Sequence, residues 1–302
     1  MPIARLAARA CLVLVLLAAP GCGGWRAPGG GPSGPAPRVG IALGGGGARG
    51  FAEIGVLRVL EQERIPVEIV VGASVGALVG ALYADSGRVL DAEFHAVALQ
   101  AEHVFDYGAL SVFSGGLIRG DRLEAFVRER LRNQNIQDMT LRFAAVAVDL
   151  ESGKTVTFTR GSAARAVRAA AAIPGLFVPV TINGRPHVDG AVVDPVPVRA
   201  ARKLGAEFVI AVSIPPEVRP VAPKSMVEII HRSLSIMANE ISEARAREAD
   251  VVIRPEVGNI AFDDFSKKKE LIEAGEAAAR AAMPAIHAAL GTGAPAGAAS
   301  AR

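Results

Sequence analysis

The chain has 302 residues, 51% of them hydrophobic and 5% aromatic, enough to bury a sizeable core as one large domain or two small ones. Its formal charge of +3 reflects 33 basic against 30 acidic residues; without a basic block or an aromatic-interleaved basic patch, nucleic-acid binding is excluded as the leading class. Cys11 and Cys22 are the two cysteines, so the folded part holds no disulfide, thiol nucleophile or thiolate metal site.

Residues 1 to 22 read as a targeting segment. Arg5 and Arg9 precede the apolar run ACLVLVLLAA at 10–19, which has the length of a signal-peptide core and is too short to span a bilayer as a mature helix. Small residues before Cys22 resemble the lipobox of bacterial lipoproteins, although Ala19 stands where leucine is usual and Pro20 is not a favoured neighbour. The expectation is a lipoprotein-type signal peptide over 1–21 with lipidation of Cys22; the alternative is an ordinary secretory signal that ends near a cysteine. Either implies export, and the anchor implies a membrane surface in the bacterial cell envelope. Residues 22–37 are rich in Gly and Pro and read as a tether. The folded domain is expected over 38–290, with a disordered tail at 291–302.

Along the folded part, RVGIAL (38–43) reads as a buried strand ending at glycines, and FAEIGVLRVLEQE (51–63) has helical apolar spacing. VEIVVGAS is a second strand running into a sharp turn, followed by the helix VGALVGALYADSG, ending near Gly87. The stretch from Val89 to Gln134 is mostly helical, with Asp121 expected to cap a helix bearing Leu123, Phe126, Val127 and Leu131. Two strands flank the Glu151-Ser152-Gly153 turn, and SAARAVRAAAAIPGLF is a helix stopped by Pro174. Asn183-Gly184 marks a hairpin. AEFVIAVSI is another strand, helices fill Lys224 to Ala249, and ADVVIRPEV precedes a terminal helix.

Three elements carry chemistry. The first is the glycine loop Gly44 to Gly50. The second, Gly72-Ala73-Ser74-Val75-Gly76, fits G-x-S-x-G between a strand and a helix, the context that exposes a serine hydroxyl on a sharp turn at a helix N-terminus. The third is the Asp189-Gly190 turn in HVDGAVVDPVPV, which read alone is an ordinary turn dipeptide. A serine needs a base to become nucleophilic. Of the five histidines, His187 stands out because it lies two residues before Asp189 on the same face of a strand.

Taken together, Gly45-Gly46-Gly47-Ala48-Arg49-Gly50, Gly72 to Gly76 and Asp189-Gly190-Ala191 resemble the motifs of the patatin-like phospholipases, in the bacterial branch related to neuropathy target esterase. AAAIPGLFVPV, DPVPV and ADVVIRPEV extend the resemblance over nearly all of Arg38 to Leu290. It implies a three-layer α/β/α fold around a mainly parallel sheet, with Ser74 at the carboxyl end of a strand. It also implies a catalytic Ser74–Asp189 dyad and an oxyanion hole from Gly45, Gly46 and Gly47, with Arg49 stabilising the oxyanion or ordering the loop. A surface ion pair is the other reading of Arg49. Gly50, Gly72, Gly76 and Gly190 support the motifs. The implied reaction is hydrolysis of phospholipid or lysophospholipid acyl esters, and it requires no metal or cofactor.

Rival readings use the same residues. A dinucleotide-binding loop lacks the acidic residue after the next strand, and a phosphate-binding P-loop lacks Gly-Lys-Ser/Thr after the glycines. A Ser-His-Asp esterase would use Ser74, Asp149 and His187. A non-catalytic lipid-binding lipoprotein is the alternative from another class. Leu99 to Ile118 reads either as a lid with apolar residues at the mouth or as a connecting segment of the core.

Overall fold

The structure, a computed structural model, describes residues 36–106, 116–214 and 222–292. The expected signal peptide, Cys22, most of the tether, the centre of the 99–118 segment and nearly all of the tail lie outside the described residues.

β1 (Val39–Leu43) is buried at every position and ends at the glycines. A single 3-10 turn over Gly47–Gly50 leads into α1 (Phe51–Gln62). β2 (Val67–Ala73) then runs into α2 (Val75–Ser86), closed by Gly87 in the left-handed conformation. Four helices follow along the chain: α3 (Val89–Val97), the single turn α4 (Ala101–Val104), α5 (Asp121–Arg130) and, after two strands, α6 (Ala163–Ala170). The strands are β3 (Arg142–Asp149) and β4 (Thr155–Phe158), then the hairpin β5 (Val180–Ile182) and β6 (Arg185–Asp189). α7 (Val198–Lys203), β7 (Phe208–Val212), α8 (Met226–Ala246), β8 (Val251–Ile253) and α9 (Lys268–Leu290) complete the order.

These form one sheet in the order β5-β6-β3-β2-β1-β7-β8, with β4 also on β3. β1 lies parallel between β2 and β7, whereas β4 and β6 run antiparallel to β3. The central strands are near-continuous apolar runs because helices cover both faces. Ile41, Val70 and Ile210 are register partners on one face, inside the cluster formed with α1, α2 and α9. Ala42, Val71 and Ala211, one residue further along, face α7. This period of two gives the three-layer α/β/α order. α1 and α9 touch backbone to backbone, since a Cβ at Gly55 would overlap the Ile272 carbonyl and one at Gly275 that of Ala52.

Three local expectations change. Asp121 is the first residue of α5 and not its cap; Gly120 takes the cap position in a left-handed conformation. The free amides are instead capped from a distance, with the Asp106 carboxylate accepting from Gly120 N–H at 2.6 Å and from Arg122 N–H at 3.1 Å. Leu131 lies beyond the helix, in extended backbone. α6 ends at Ala170, before Pro174, and the carbonyls of Ala170 and Ala172 accept hydrogen bonds from the site described below. One long helix, α8, occupies the span where helices were expected between Lys224 and Ala249.

The sheet also decides which residues meet. β2 pairs with β3 up to Ala73 opposite Val146, and β6 pairs with β3 from Ala147 to Asp149. β4 pairs with Ala145 to Val148 and therefore occupies the other edge of β3. β2 and β6 thus share one edge, end to end and in opposite directions. Their last residues, Ala73 and Asp189, sit opposite the adjacent residues Val146 and Ala147. A side chain just past β2 must face one at the end of β6.

Candidate active site

Ser74 is the residue just past β2. It caps α2 with φ 54° and ψ −131°, a backbone state that costs about 1–3 kcal/mol for a residue with a Cβ. Neighbouring backbone leaves no room for side chains at the flanking glycines. A Cβ on Gly72 would overlap the Gly76 carbonyl, and one on Gly76 would overlap that of Leu43. Ser74 N–H donates to the Ala170 carbonyl at 3.0 Å, and Asp189 N–H donates to that of Ala172 at 2.9 Å. The end of α6 therefore clamps both partners.

The Ser74 hydroxyl lies beside the Asp189 carboxylate and favours its charged form. Ala191 N–H donates to Asp189 Oδ1 at 2.8 Å, which fixes the carboxylate within its own turn. Gly190 lies against the Val146 carbonyl with no space for a Cβ. Asp189 is only 2% exposed. Burial pushes its pKa up to about 7, against the opposing pull of the Ser74 hydroxyl and the Ala191 amide. A buried carboxyl with that affinity for protons is poised to take one near neutral pH.

The glycine loop faces this pair. Gly45 packs on Ser74, where a Cβ would stand 3.2 Å from the serine's own. Its N–H, however, already donates to the Pro195 carbonyl at 3.1 Å, and that of Gly44 donates to Val212 at 3.1 Å. Gly45, expected among the oxyanion donors, is thereby engaged in holding the loop to the segment after Asp189. Among the described residues, the amides of Gly46 and Gly47 meet no backbone carbonyl. Gly47 adopts φ 59°, which turns the loop into the 3-10 turn; Ala48 N–H then donates to the Phe262 carbonyl at 2.6 Å.

Arg49 is only 5% exposed and so does not lie on the surface. Its Nε donates to the Gly46 carbonyl at 3.1 Å. In a trans peptide the carbonyl and the next N–H point in opposite directions. Arg49 therefore orients the Gly46–Gly47 peptide and, with it, the Gly47 N–H. Gly50 carries no Cβ because one would overlap the Val75 side chain at the start of α2, so the loop lies directly on the serine turn. Behind the loop, Glu53 of α1 is wholly buried, and among the described residues neither carboxyl oxygen has a hydrogen-bond partner. Burial raises its pKa well above the ordinary carboxylate value. The Gly44 amide, which opposes this rise, is already bound to the Val212 carbonyl.

His187 and Asp149 are register partners on β6 and β3, yet among the described residues no hydrogen bond joins their side chains. His187 Nδ1 lies 3.4 Å from the Val180 carbonyl, and its ring packs edge-on against Phe158. Asp149 is bound to Arg185 and to the amides of Glu151 and Ser152, which hold its carboxyl below the usual carboxylate range. Ser74 lies beside Asp189 instead, at the shared edge of β3.

Two cavities meet at Ser74. One, lined by Leu78, Leu99, Phe105, Leu123 and Phe177 among others, has Ser74 as the one polar side chain in its described lining. The other is bounded by Gly45, Gly46, Gly47, Arg49 and Asp189, with Leu234, Met237 and Ser242 of α8 across from them. Leu99 and Phe105, on the described flank of the lid candidate, form part of the apolar wall. Sequence reasoning missed the α8 wall and the clamp of α6. It also missed Asp194, a buried acid raised to about 6 by desolvation, which lies 3.5 Å from Arg245 of α8. Its only signal was its place in the quoted DPVPV.

Residues 41–202, more than half of the chain, match the family described as Patatin-like phospholipase. An uncharacterized NTE family protein of Mycobacterium tuberculosis is 36% identical over 178 residues, covering 59% of this chain and 49% of that protein. The lysophospholipase NTE1 of Coccidioides immitis is 33% identical over 182 residues, covering 58% of this chain and 11% of the fungal protein. The chain thus spans about half the length of its mycobacterial relative and a small part of the fungal one. Among solved structures, VipD from Legionella pneumophila superimposes with a TM-score of 0.51 at 14% identity, covering 84% of this chain and 67% of VipD; that likeness concerns the fold. With the glycine loop, the serine turn and Asp189 all inside the matched span, the chain belongs to the patatin-like phospholipase family.

Proposed function

We propose that the protein is a serine hydrolase of lipid acyl esters, acting on phospholipids or lysophospholipids through Ser74 and Asp189. The observation that carries this reading is the juxtaposition of Ser74, on its strained turn, with the desolvated Asp189 carboxyl at the junction of an apolar and a polar cavity. Ser74 Oγ attacks the ester carbonyl carbon while Asp189 takes its proton. The carbonyl oxygen becomes an oxyanion, received by the amides of Gly46 and Gly47 and favoured by the positive end of α2. Collapse breaks the bond to the alcohol, which leaves with the proton from Asp189. Water then attacks the acyl-enzyme, with Asp189 accepting its proton; collapse breaks the bond to Ser74 Oγ, which takes that proton back as the fatty acid leaves.

The apolar cavity suits the acyl chain, because an alkyl chain gains by leaving water and demands no polar partner. The cavity under α8 suits the leaving alcohol. The fungal lysophospholipases among the relatives favour a glycerophospholipid backbone for that alcohol. Lipidation of Cys22 belongs to the same proposal, supported by the small residues before it, and intact-mass analysis of the mature chain tests it. Fatty-acid release from lysophosphatidylcholine and phosphatidylcholine by the parent protein and by Ser74→Ala tests the activity. The parent should release fatty acid and Ser74→Ala should not; equal release by both would overturn the assignment.

A further inference from the structure

We infer that the outward face of α8 docks on a phospholipid surface and so places the mouth of the candidate active site against it. Met226, Ile229, Ile230, Ile236 and Met237 are all exposed, from 46% for Ile230 and Ile236 to 76% for Met226. Their spacing puts them on one side of the helix, over a length of about 16 Å. Exposed apolar area of this extent on one element marks an interaction surface.

Two observations identify the occupant. The stripe runs directly into the site: Met237, half-exposed on its outer side, also lines the cavity that holds Ser74, Asp189 and the glycine loop, as do Leu234 and Ala238. An amphiphile leaving a bilayer under this helix would enter that cavity without crossing water. The composition fits as well: between Ile229 and Met237 the stripe holds Arg232 and no acidic side chain, and the one acid within its span, Glu228, accepts from the Lys224 backbone amide at the start of the helix. The last third of α8 is fixed to the body, with Ser242 and Ala246 buried and Arg245 beside Asp194. The helix is therefore held at one end and offers its apolar face at the other. α3 bears a second exposed trio, Leu90, Phe94 and Val97; it serves as the internal comparison.

The proposal rests on the hydrolase reading for its meaning, but its test does not depend on turnover. In the full chain carrying Cys22→Ser, Ile236→Trp places a fluorophore in the stripe, and Trp25 provides the background in the same chain without that substitution. On phosphatidylcholine–phosphatidylglycerol vesicles, emission from Ile236→Trp should shift to the blue and be quenched by brominated acyl chains; a tryptophan at Phe94 should respond less. Ile229→Ser with Ile236→Ser should lower hydrolysis of vesicle-borne substrate roughly tenfold or more while leaving turnover of a water-soluble short-chain ester unchanged. Quenching at Phe94→Trp but not at Ile236→Trp would overturn the proposal. So would a dimer that dissociates on the double serine substitution with no change in vesicle response, because the stripe would then be covered by a second copy. If the parent hydrolyses no ester at all, the hydrolase reading fails, and the quenching result still decides the docking surface.

Discussion

Asparagine in place of Asp189 should make the protein more stable at alkaline pH while abolishing turnover, and the two effects have one cause. Desolvation lifts the Asp189 pKa from 3.8 to about 7. A rise of about three units corresponds to about 4 kcal/mol disfavouring the charged form in the folded state. Between the unfolded and folded values the native protein holds a proton that the unfolded chain has released, so stability falls as pH rises through that window. Above pH 7 the full cost is present; below pH 4 it is gone. Asparagine has almost the same shape, keeps an oxygen for the Ala191 amide and carries no charge. Urea unfolding at pH 5 and pH 8.5 should therefore show a much steeper loss of stability for the parent than for Asp189→Asn, with the variant ahead at pH 8.5 by up to about 4 kcal/mol. Asp194, raised to about 6 in the same direction, contributes equally to both proteins and cancels. Parallel pH dependences would refute the desolvated-base argument. In the parent, kcat/KM should rise with pH through about 7 as the carboxylate becomes available to take the serine proton.

Other expectations follow from the same geometry. Arg49→Met should leave KM nearly unchanged and lower kcat by about a hundredfold, the typical effect of one lost oxyanion donor, because the Gly46–Gly47 peptide loses the contact that aims it; steady-state kinetics on a soluble ester measures this. His187→Ala should keep most turnover and lose stability from its buried packing with Phe158, whereas a histidine-based triad would lose nearly all activity. Gly275→Ala should destabilise the fold by about 1–3 kcal/mol, seen as a lower thermal midpoint, because the added methyl meets the Ala52 carbonyl between α1 and α9.

Much of this was legible in the chain because the governing constraints are local. Strands buried on both faces show as apolar runs such as VVGA, and a serine on a sharp strand-to-helix turn needs Gly72 and Gly76 beside it. Asn183-Gly184 signals its hairpin through the two positive φ angles that it adopts. What stayed hidden depends on pieces far apart in sequence. The α5 cap comes from Asp106, fifteen residues before Asp121, the residue expected to supply it. The engagement of the Gly45 amide needs Pro195, and it narrows the proposed oxyanion donors to Gly46 and Gly47. The meeting of Ser74 and Asp189 was implied by resemblance; its physical reason is the end-to-end sharing of one β3 edge by β2 and β6, a matter of register that no local pattern encodes. The exposed stripe of α8 was equally hidden, since apolar helical spacing alone reads as core.

The most direct test of the central claim is the site of covalent capture by a fluorophosphonate, read by peptide mass mapping. The account predicts one modified residue, Ser74, with labelling lost in Ser74→Ala and strongly slowed in Asp189→Asn. Modification at another residue, or fatty-acid release that persists in Ser74→Ala, would contradict it.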